Sequence, residues 1–216
     1  KDSSFHNTLY SFENITSLTI SKVNATTFPI DYSRFEKLKH LEITKSNIDS
    51  LFIAPIHHNL MTIDISMSYI RTIGKGIENA RNTKSLTIDY CPKVKLNFDI
   101  SVFQYLEKLY LNDNYLDTLP SGIDKCKSLK TVYFGTNCID TINFNFFTLP
   151  NLQHYDMHRI SVELSQSYLD SLHSFVRGYN LYAYSSSKSL IGDHFSFILK
   201  WEKHKCRRAK SAKMPR

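Results

Sequence analysis

Paired CxxC spacing, a Gly-rich phosphate loop, a nucleophile elbow and an HExxH helix are all missing from these 216 residues. Their absence removes the zinc-finger, nucleotide-hydrolysis, serine-hydrolase and metalloprotease readings that those motifs carry. No apolar run approaches the length needed to cross a bilayer. The chain begins KDSSFH, without a charged-then-apolar leader, so a signal peptide is expected to have been removed already. A charge excess is missing too, over most of the length. The formal charge is +7, but residues 200–216 (KWEKHKCRRAKSAKMPR) carry eight Lys/Arg against one Glu. The remaining 199 residues hold nineteen charges of each sign, so the basic balance belongs to the tail. A solvated end, a patch for an acidic partner or a membrane surface, and a nuclear address all fit such a tail. Basic residues do not track along the rest of the chain, which argues against nucleic acid.

A fixed period is present instead. In LEKLYLNDNYLDTLP, Leu106, Leu109, Leu111, Asn114 and Leu116 stand at offsets 0, 3, 5, 8 and 10. A helix places apolar residues at 3, 4 and 7, and a plain strand at every second position. The spacing fits a short strand followed by a tight corner, where the Asn114 amide satisfies backbone groups left unpaired by the turn. Such a unit cannot bury its apolar face alone, so copies must flank it. They begin at 15, 38, 60, 83, 106, 129 and 152, in steps of 22 or 23 residues. The fold predicted is an α/β leucine-rich-repeat solenoid of about seven repeats. Asn114 and Asn137 hold the corner position, with Ser46, Ser68 and Cys91 substituting and Val23 and Ile160 apolar there. The ladder should therefore be strongest in the middle.

Strands are expected at Ser17–Ser21, His40–Thr44, Thr62–Ser66, Ser85–Asp89, Lys108–Asn112, Thr131–Gly135 and His154–His158. Residues 1–164 form the array. Residues 165–202 read as a capping region, with a helix through Tyr168, Leu169, Leu172, Phe175 and Val176 ended at Gly178. A strand-like segment and a second helix follow, and 203–216 form the basic tail. A cap over the open sheet edge is favoured over a dimerisation element.

Strand side chains alternate faces, so the residues between the leucines line the concave side. The central stripe is Thr19, Glu42, Asp64, Thr87, Tyr110, Tyr133 and Asp156, with Asp89 and His158 in the next and His154 in the preceding one. The candidate partner-binding residues are Glu42, Asp64, Tyr90, Tyr110, Tyr133, His154, Asp156 and His158. Tyrosines on an exposed sheet bring contact area at low entropy cost, although cross-strand pairs also simply stabilise a sheet. His154, Asp156 and His158 alternate onto one face, where a metal or acid–base site is geometrically conceivable. An open sheet lacks the enclosed pocket that catalysis uses, so no enzyme, cofactor or metal is expected.

Asn14-Ile15-Thr16 and Asn24-Ala25-Thr26 are glycosylation acceptors in the first repeat, pointing to secretion. Of four cysteines, Cys91 and Cys126 occupy core slots. Cys138 and Cys206 are the candidates for a disulfide. A tail-to-array staple, an intermolecular bridge and two free thiols are all compatible with the sequence.

The stretch FENITSLTISKVNATTFPIDYSRFEKLKHLEITKSNIDSL, continued by LDTLPSGIDKCKSLKTVYF and FFTLPNLQHYDM, resembles extracellular leucine-rich-repeat proteins of insect, including mosquito, innate immunity. The shared style spans residues 12–162: an aromatic-led strand, an FP or LP on the convex side, and a Phe-led entry to the next strand. The resemblance implies a secreted protein that binds other proteins, in some mosquito members complement-like thioester proteins held by disulfide-linked pairs. Those members continue into a cysteine-rich region and a coiled coil, where this chain ends in a basic tail with one cysteine. A secreted recognition module, possible as a dimer, is thus the functional expectation. An intracellular scaffold addressed by its basic tail is the alternative.

Overall fold

The computed structural model describes residues 14–25, 35–53, 55–73, 76–160, 162 and 164–178. Two parallel sheets share the chain in alternation, with strands numbered along the sequence. The larger has seven strands in the order β1 (Ser17–Ser21), β3 (His40–Thr44), β5 (Thr62–Ser66), β7 (Ser85–Asp89), β9 (Lys108–Tyr110), β10 (Thr131–Tyr133) and β11 (His154–Asp156). The smaller has four: β2 (Asn24–Ala25), β4 (Asn47–Leu51), β6 (Tyr69–Ile73) and β8 (Lys95–Leu96). Single 3₁₀ turns at Ile77–Asn79, Ile100–Val102, Ile123–Lys125 and Phe146–Thr148 close the other side of their repeats. This is a leucine-rich-repeat solenoid.

Its core follows from the period. Leu18, Leu41, Ile63, Leu86, Leu109 and Val132 are buried in one register column, and Ile20, Ile43, Ile65, Ile88, Leu111 and Phe134 in a second. Ile77, Ile100, Ile123 and Phe146 fill the opposite side, one per 3₁₀ turn. His57 takes the buried slot that Phe35, Ala80, Phe103, Cys126 and Leu149 take in other repeats. Each column is continuous from repeat to repeat, so no unit has a core of its own.

The corner ladder is made as expected. The Cys91 N–H donates to Asn114 Oδ1 at 2.8 Å, and the Asn114 N–H to Asn137 Oδ1 at 3.2 Å. Asn137 Nδ2 returns bonds to the carbonyls of Leu111 at 2.7 Å and Phe134 at 2.8 Å. Ser46 and Ser68 do the same work with one oxygen: Val23 N–H donates to Ser46 Oγ and Ser46 N–H to Ser68 Oγ, each at 3.1 Å. Cys91 contributes longer sulfur contacts to the carbonyls of Asp89 and Ile65, at 3.4 and 3.5 Å.

Immediately before each corner residue, the chain turns through the left-handed region at Lys22, Lys45, Met67, Tyr90, Asp113, Thr136 and Arg159. Such a conformation costs a non-glycine residue roughly 1–2 kcal/mol. It is offset by a repeat-to-repeat bond: Met67 N–H donates to the Asp89 carbonyl at 2.9 Å, Tyr90 N–H to Asn112 at 3.0 Å and Thr136 N–H to His158 at 2.7 Å.

Two expectations change. β9, β10 and β11 stop two residues short of the predicted ends, so Asn112, Gly135 and His158 lie outside the strands. Carboxylate and amide side chains take over the backbone donors there: Asn112 N–H donates to Asp89 Oδ1 at 2.7 Å, Gly135 N–H to Asn112 Oδ1 at 2.9 Å, and His158 N–H to Asp156 Oδ1 at 2.9 Å. The second sheet is the other difference. NIDSL and YIRTI bury Ile48, Leu51, Ile70 and Ile73 while Asp49 and Arg71 pair outside at 3.3 Å, the alternation of a half-buried strand.

Beyond β11, Ser165 starts the helix α1 (Gln166–Gly178) by accepting the Tyr168 N–H on its Oγ at 3.2 Å. Tyr168 and Leu172 are buried, placing the helix against the last repeat among Phe147 and Tyr155. The predicted strand-like segment, second helix and basic tail lie outside the described residues.

Candidate interaction surface

Strand register sets the outward stripe. Thr19, Glu42, Asp64, Thr87, Tyr110, Tyr133 and Asp156 are each opposite the next across the sheet. At its centre the Tyr110 and Tyr133 rings meet edge to face, with centroids 5.4 Å apart and planes at 80°. That geometry puts the positive edge of one ring on the negative face of the other. Both phenols are held above their ordinary pKa by burial first, then by Tyr133 and Asp89 at Tyr110 and by the charge of Asp156 at Tyr133.

The candidates divide into groups. Tyr90 is not in the central stripe; it stands on the left-handed rim at φ 55° and is 58% exposed. Asp156 and His158 form a pair of their own, with His158 Nδ1 2.9 Å from Asp156 Oδ2. Burial raises the Asp156 pKa, but the His158 bonds and charge outweigh it and hold the carboxyl below its ordinary value. His158 is correspondingly raised by its bond to Asp156. Its Nε2 also lies 3.2 Å from Thr136 Oγ1. His154 is exposed on β11 and stands apart from that pair, at the opposite end of the strand's outer stripes. Glu42 accepts the Thr19 hydroxyl at 3.0 Å near the amino-terminal end, well away from the tyrosines along the stripe. Among the described residues, no three His, Cys, Asp or Glu side chains converge as a metal site.

Three residues matter here that are not among the candidate partner-binding residues of the sequence. Asp89 is drawn into the sheet by its bond from Asn112 N–H, and its pKa is raised to about 6. Burial is the main cause, opposed by the Asn112 bonds and reinforced by the charges of Asp64 and Asp113. Asp113 is raised as well, by burial first. Met67 precedes Tyr90 on the rim and is 50% exposed. The signal for all three was the same 23-residue phase: Asp89 shares its stripe with Asn112, and Met67 and Asp113 share a column with Tyr90.

Away from this face, Asn14 and Asn24 are exposed. Their Oδ1 atoms accept from Lys37 Nζ at 2.6 Å and Asn47 Nδ2 at 2.8 Å, which leaves each acceptor nitrogen outside those bonds. Cys91 and Cys126 are buried and free, and Cys138 is disulfide-bonded.

Solved structures share this architecture. The leucine-rich repeat domain of the type III effector XCV3220 (XopL) matches with a TM-score of 0.61 and 17% identity, over 73% of this chain and 56% of that one. The functional domain of InlJ from Listeria monocytogenes, which includes a cysteine ladder, matches with a TM-score of 0.60 and 17% identity. That match covers 76% of this chain and 34% of the InlJ chain. The chain thus spans little more than half of the first and a third of the second, and the likeness establishes the fold alone. No protein-family model and no curated protein sequence matches the chain.

Proposed function

We propose that this chain is a secreted recognition module of innate immunity that binds a protein partner through the concave face of its seven-stranded sheet or the rim of that face. The observation that carries the reading is the Tyr110–Tyr133 pair at the centre of a polar stripe. Paired rings already hold each other, so a partner meets an ordered aromatic centre and little side-chain entropy is lost on binding.

Secretion is supported by the disulfide at Cys138, a bond that persists in oxidising compartments. We propose Cys206 as the partner of Cys138, as a tail-to-array staple or as a bridge between two copies of the chain. The accessible Asn14 and Asn24 acceptors point the same way. The innate-immune role and a complement-like partner rest on the resemblance to insect proteins.

The test is affinity capture from native extracellular fluid, with the folded chain and its Tyr110→Ala and Tyr133→Ala variants as baits. Loss of a central aromatic typically costs about 2 kcal/mol or more of binding. A partner retained equally by all three baits would sink the reading. Intact-mass measurement of the natively secreted chain, reduced and unreduced, checks the glycans and the disulfide.

A further inference from the structure

Four apolar or aromatic side chains run across consecutive repeats on this face: Met67, Tyr90, Tyr110 and Tyr133. Three carboxylates, Asp64, Asp89 and Asp113, are interleaved with them. Asp64 accepts the Ser66 hydroxyl and Asp89 accepts the Asn112 N–H. Asp64 and Asp89 are therefore each oriented by a neutral donor. Among the described residues, none of the three is in an ion pair, whereas Asp49, Asp99, Glu107 and Asp156 all are. Lys22 and Lys45 stand at one end of the rim and Lys108 in the far stripe, while at the other end the charges of His158 and Arg159 oppose burial at Asp113 and leave Asp64 and Asp89 the less compensated carboxylates.

We propose that this strip binds a cationic extended segment of the partner, with Lys or Arg side chains seated between Tyr110 and the carboxylates of Asp64, Asp89 and Asp113. The inference rests on the recognition reading above and names the chemistry of its partner. Charge decides the occupant. An anionic partner or a nucleic acid would meet three like charges. A purely apolar one would cover carboxylates without pairing them, which costs far more than the covered area returns. A Lys or Arg supplies both needs, an aliphatic stem for the rings and a charge for the carboxylates. A cation within about 6 Å of a tyrosine face is also attracted by the ring itself. The spacing agrees. Three consecutive repeats at about 4.8 Å per strand span roughly 10 Å. Alternate residues of an extended peptide lie about 7 Å apart, so two of its cations fit the strip.

The raised pKa of Asp89 supports the same conclusion, because it marks a carboxylate that burial and its neighbours leave short of compensating charge. Such a group gains most from an incoming cation.

The experiment is fluorescence anisotropy with labelled hexa-arginine and hexa-glutamate peptides on the full chain and single variants. Hexa-arginine is expected to bind and hexa-glutamate not. Asp89→Asn, Asp113→Asn and Tyr110→Ala should each weaken hexa-arginine about tenfold or more. Glu78→Gln, an exposed carboxylate on a 3₁₀ turn away from the sheet, should leave it unchanged. Asp89→Asn keeps a carbonyl oxygen for the Asn112 N–H, and its melting curve verifies that the variant is folded. Equal losses from Glu78→Gln, or none from the three strip variants, would overturn the assignment. So would hexa-arginine binding only after Arg207, Arg208, Lys210 and Lys213 are all changed to Gln, which would make the chain's own tail the occupant. A captured partner that depends on Tyr110 and Tyr133 but ignores Asp89→Asn and excess hexa-arginine would keep the recognition reading and end this one.

Discussion

The hydroxyls of Tyr155 and Tyr168 lie 2.7 Å apart, tying the last strand of the array to the first turn of the helix that follows. Both phenols are held well above their ordinary pKa, chiefly by burial, so the bond is shielded from water. Tyr168→Phe keeps the ring packed on Phe147 and removes only the hydroxyl. It is expected to cost about 0.5–1.5 kcal/mol, the worth of one hydrogen bond, because the Tyr155 hydroxyl still reaches Met157 Sδ at 3.3 Å. Tyr168→Ala should cost about 3–5 kcal/mol. Urea melting of the full chain separates the two. A silent Tyr168→Ala would show that the helix is not a cap.

Leu109 is fully buried between Leu86 and Val132 in the register column. Neighbours on both sides cannot close freely over a missing side chain, so Leu109→Ala should cost about 2–5 kcal/mol. The change in the urea midpoint at constant slope measures it.

Asn137 accepts from the N–H groups of Asn114 and Leu116 and donates to three carbonyls, those of Leu111, Phe134 and Gly135. Asn137→Ala strands these groups in the core and should cost about 2–3 kcal/mol. Asn137→Ser should recover part of that loss, because Ser46 and Ser68 serve the same position in earlier repeats. Equal stability of the Ala and Ser variants would count against a ladder role.

Asp89 has a folded pKa of about 6 against an ordinary value of 3.8, with burial the leading cause. The folded chain therefore binds this proton more tightly than the unfolded chain. The stabilisation it supplies is complete below the unfolded value and is lost as pH rises through about 6. Asp89→Asn removes the titration. Its stability relative to the parent chain should grow as pH rises from about 4 to 7, with a Tm higher by about 2–4 °C at neutral pH. Paired melts across that pH range test the sign, and a parent chain that gains on the variant toward neutral pH would reverse it.

Most of this architecture was legible from one phase. β1, β3, β5 and β7 occupy the residues that the leucine spacing assigned, because a buried period-2 pair on a 23-residue repeat has one register. The shorter β9, β10 and β11 were not legible. Their ends depend on whether Asp89, Asn112 and Asp156 reach a backbone donor. The left-handed row was hidden for another reason. Lys22, Lys45, Met67, Tyr90, Asp113, Thr136 and Arg159 include no glycine or asparagine, the residues that ordinarily advertise this conformation. Tyr90 was therefore grouped with Tyr110 and Tyr133, although the turn carries it to the rim. The aromatic centre itself was visible, since Tyr110 and Tyr133 share a stripe and differ by one repeat. Glu42 and His154 carry similar chemistry in that pattern, and only the packing separates them from the strip.

Seven successive turns hold one backbone shape while bearing Lys, Lys, Met, Tyr, Asp, Thr and Arg. The scaffold thus makes no demand on the chemistry of that side chain: the turns are bound to the next repeat through peptide groups, and the identity of the residue is left open. Evolution or an engineer can rewrite this row one position at a time without disturbing the frame. A lineage of such chains would drift in what it recognises far faster than in how it folds.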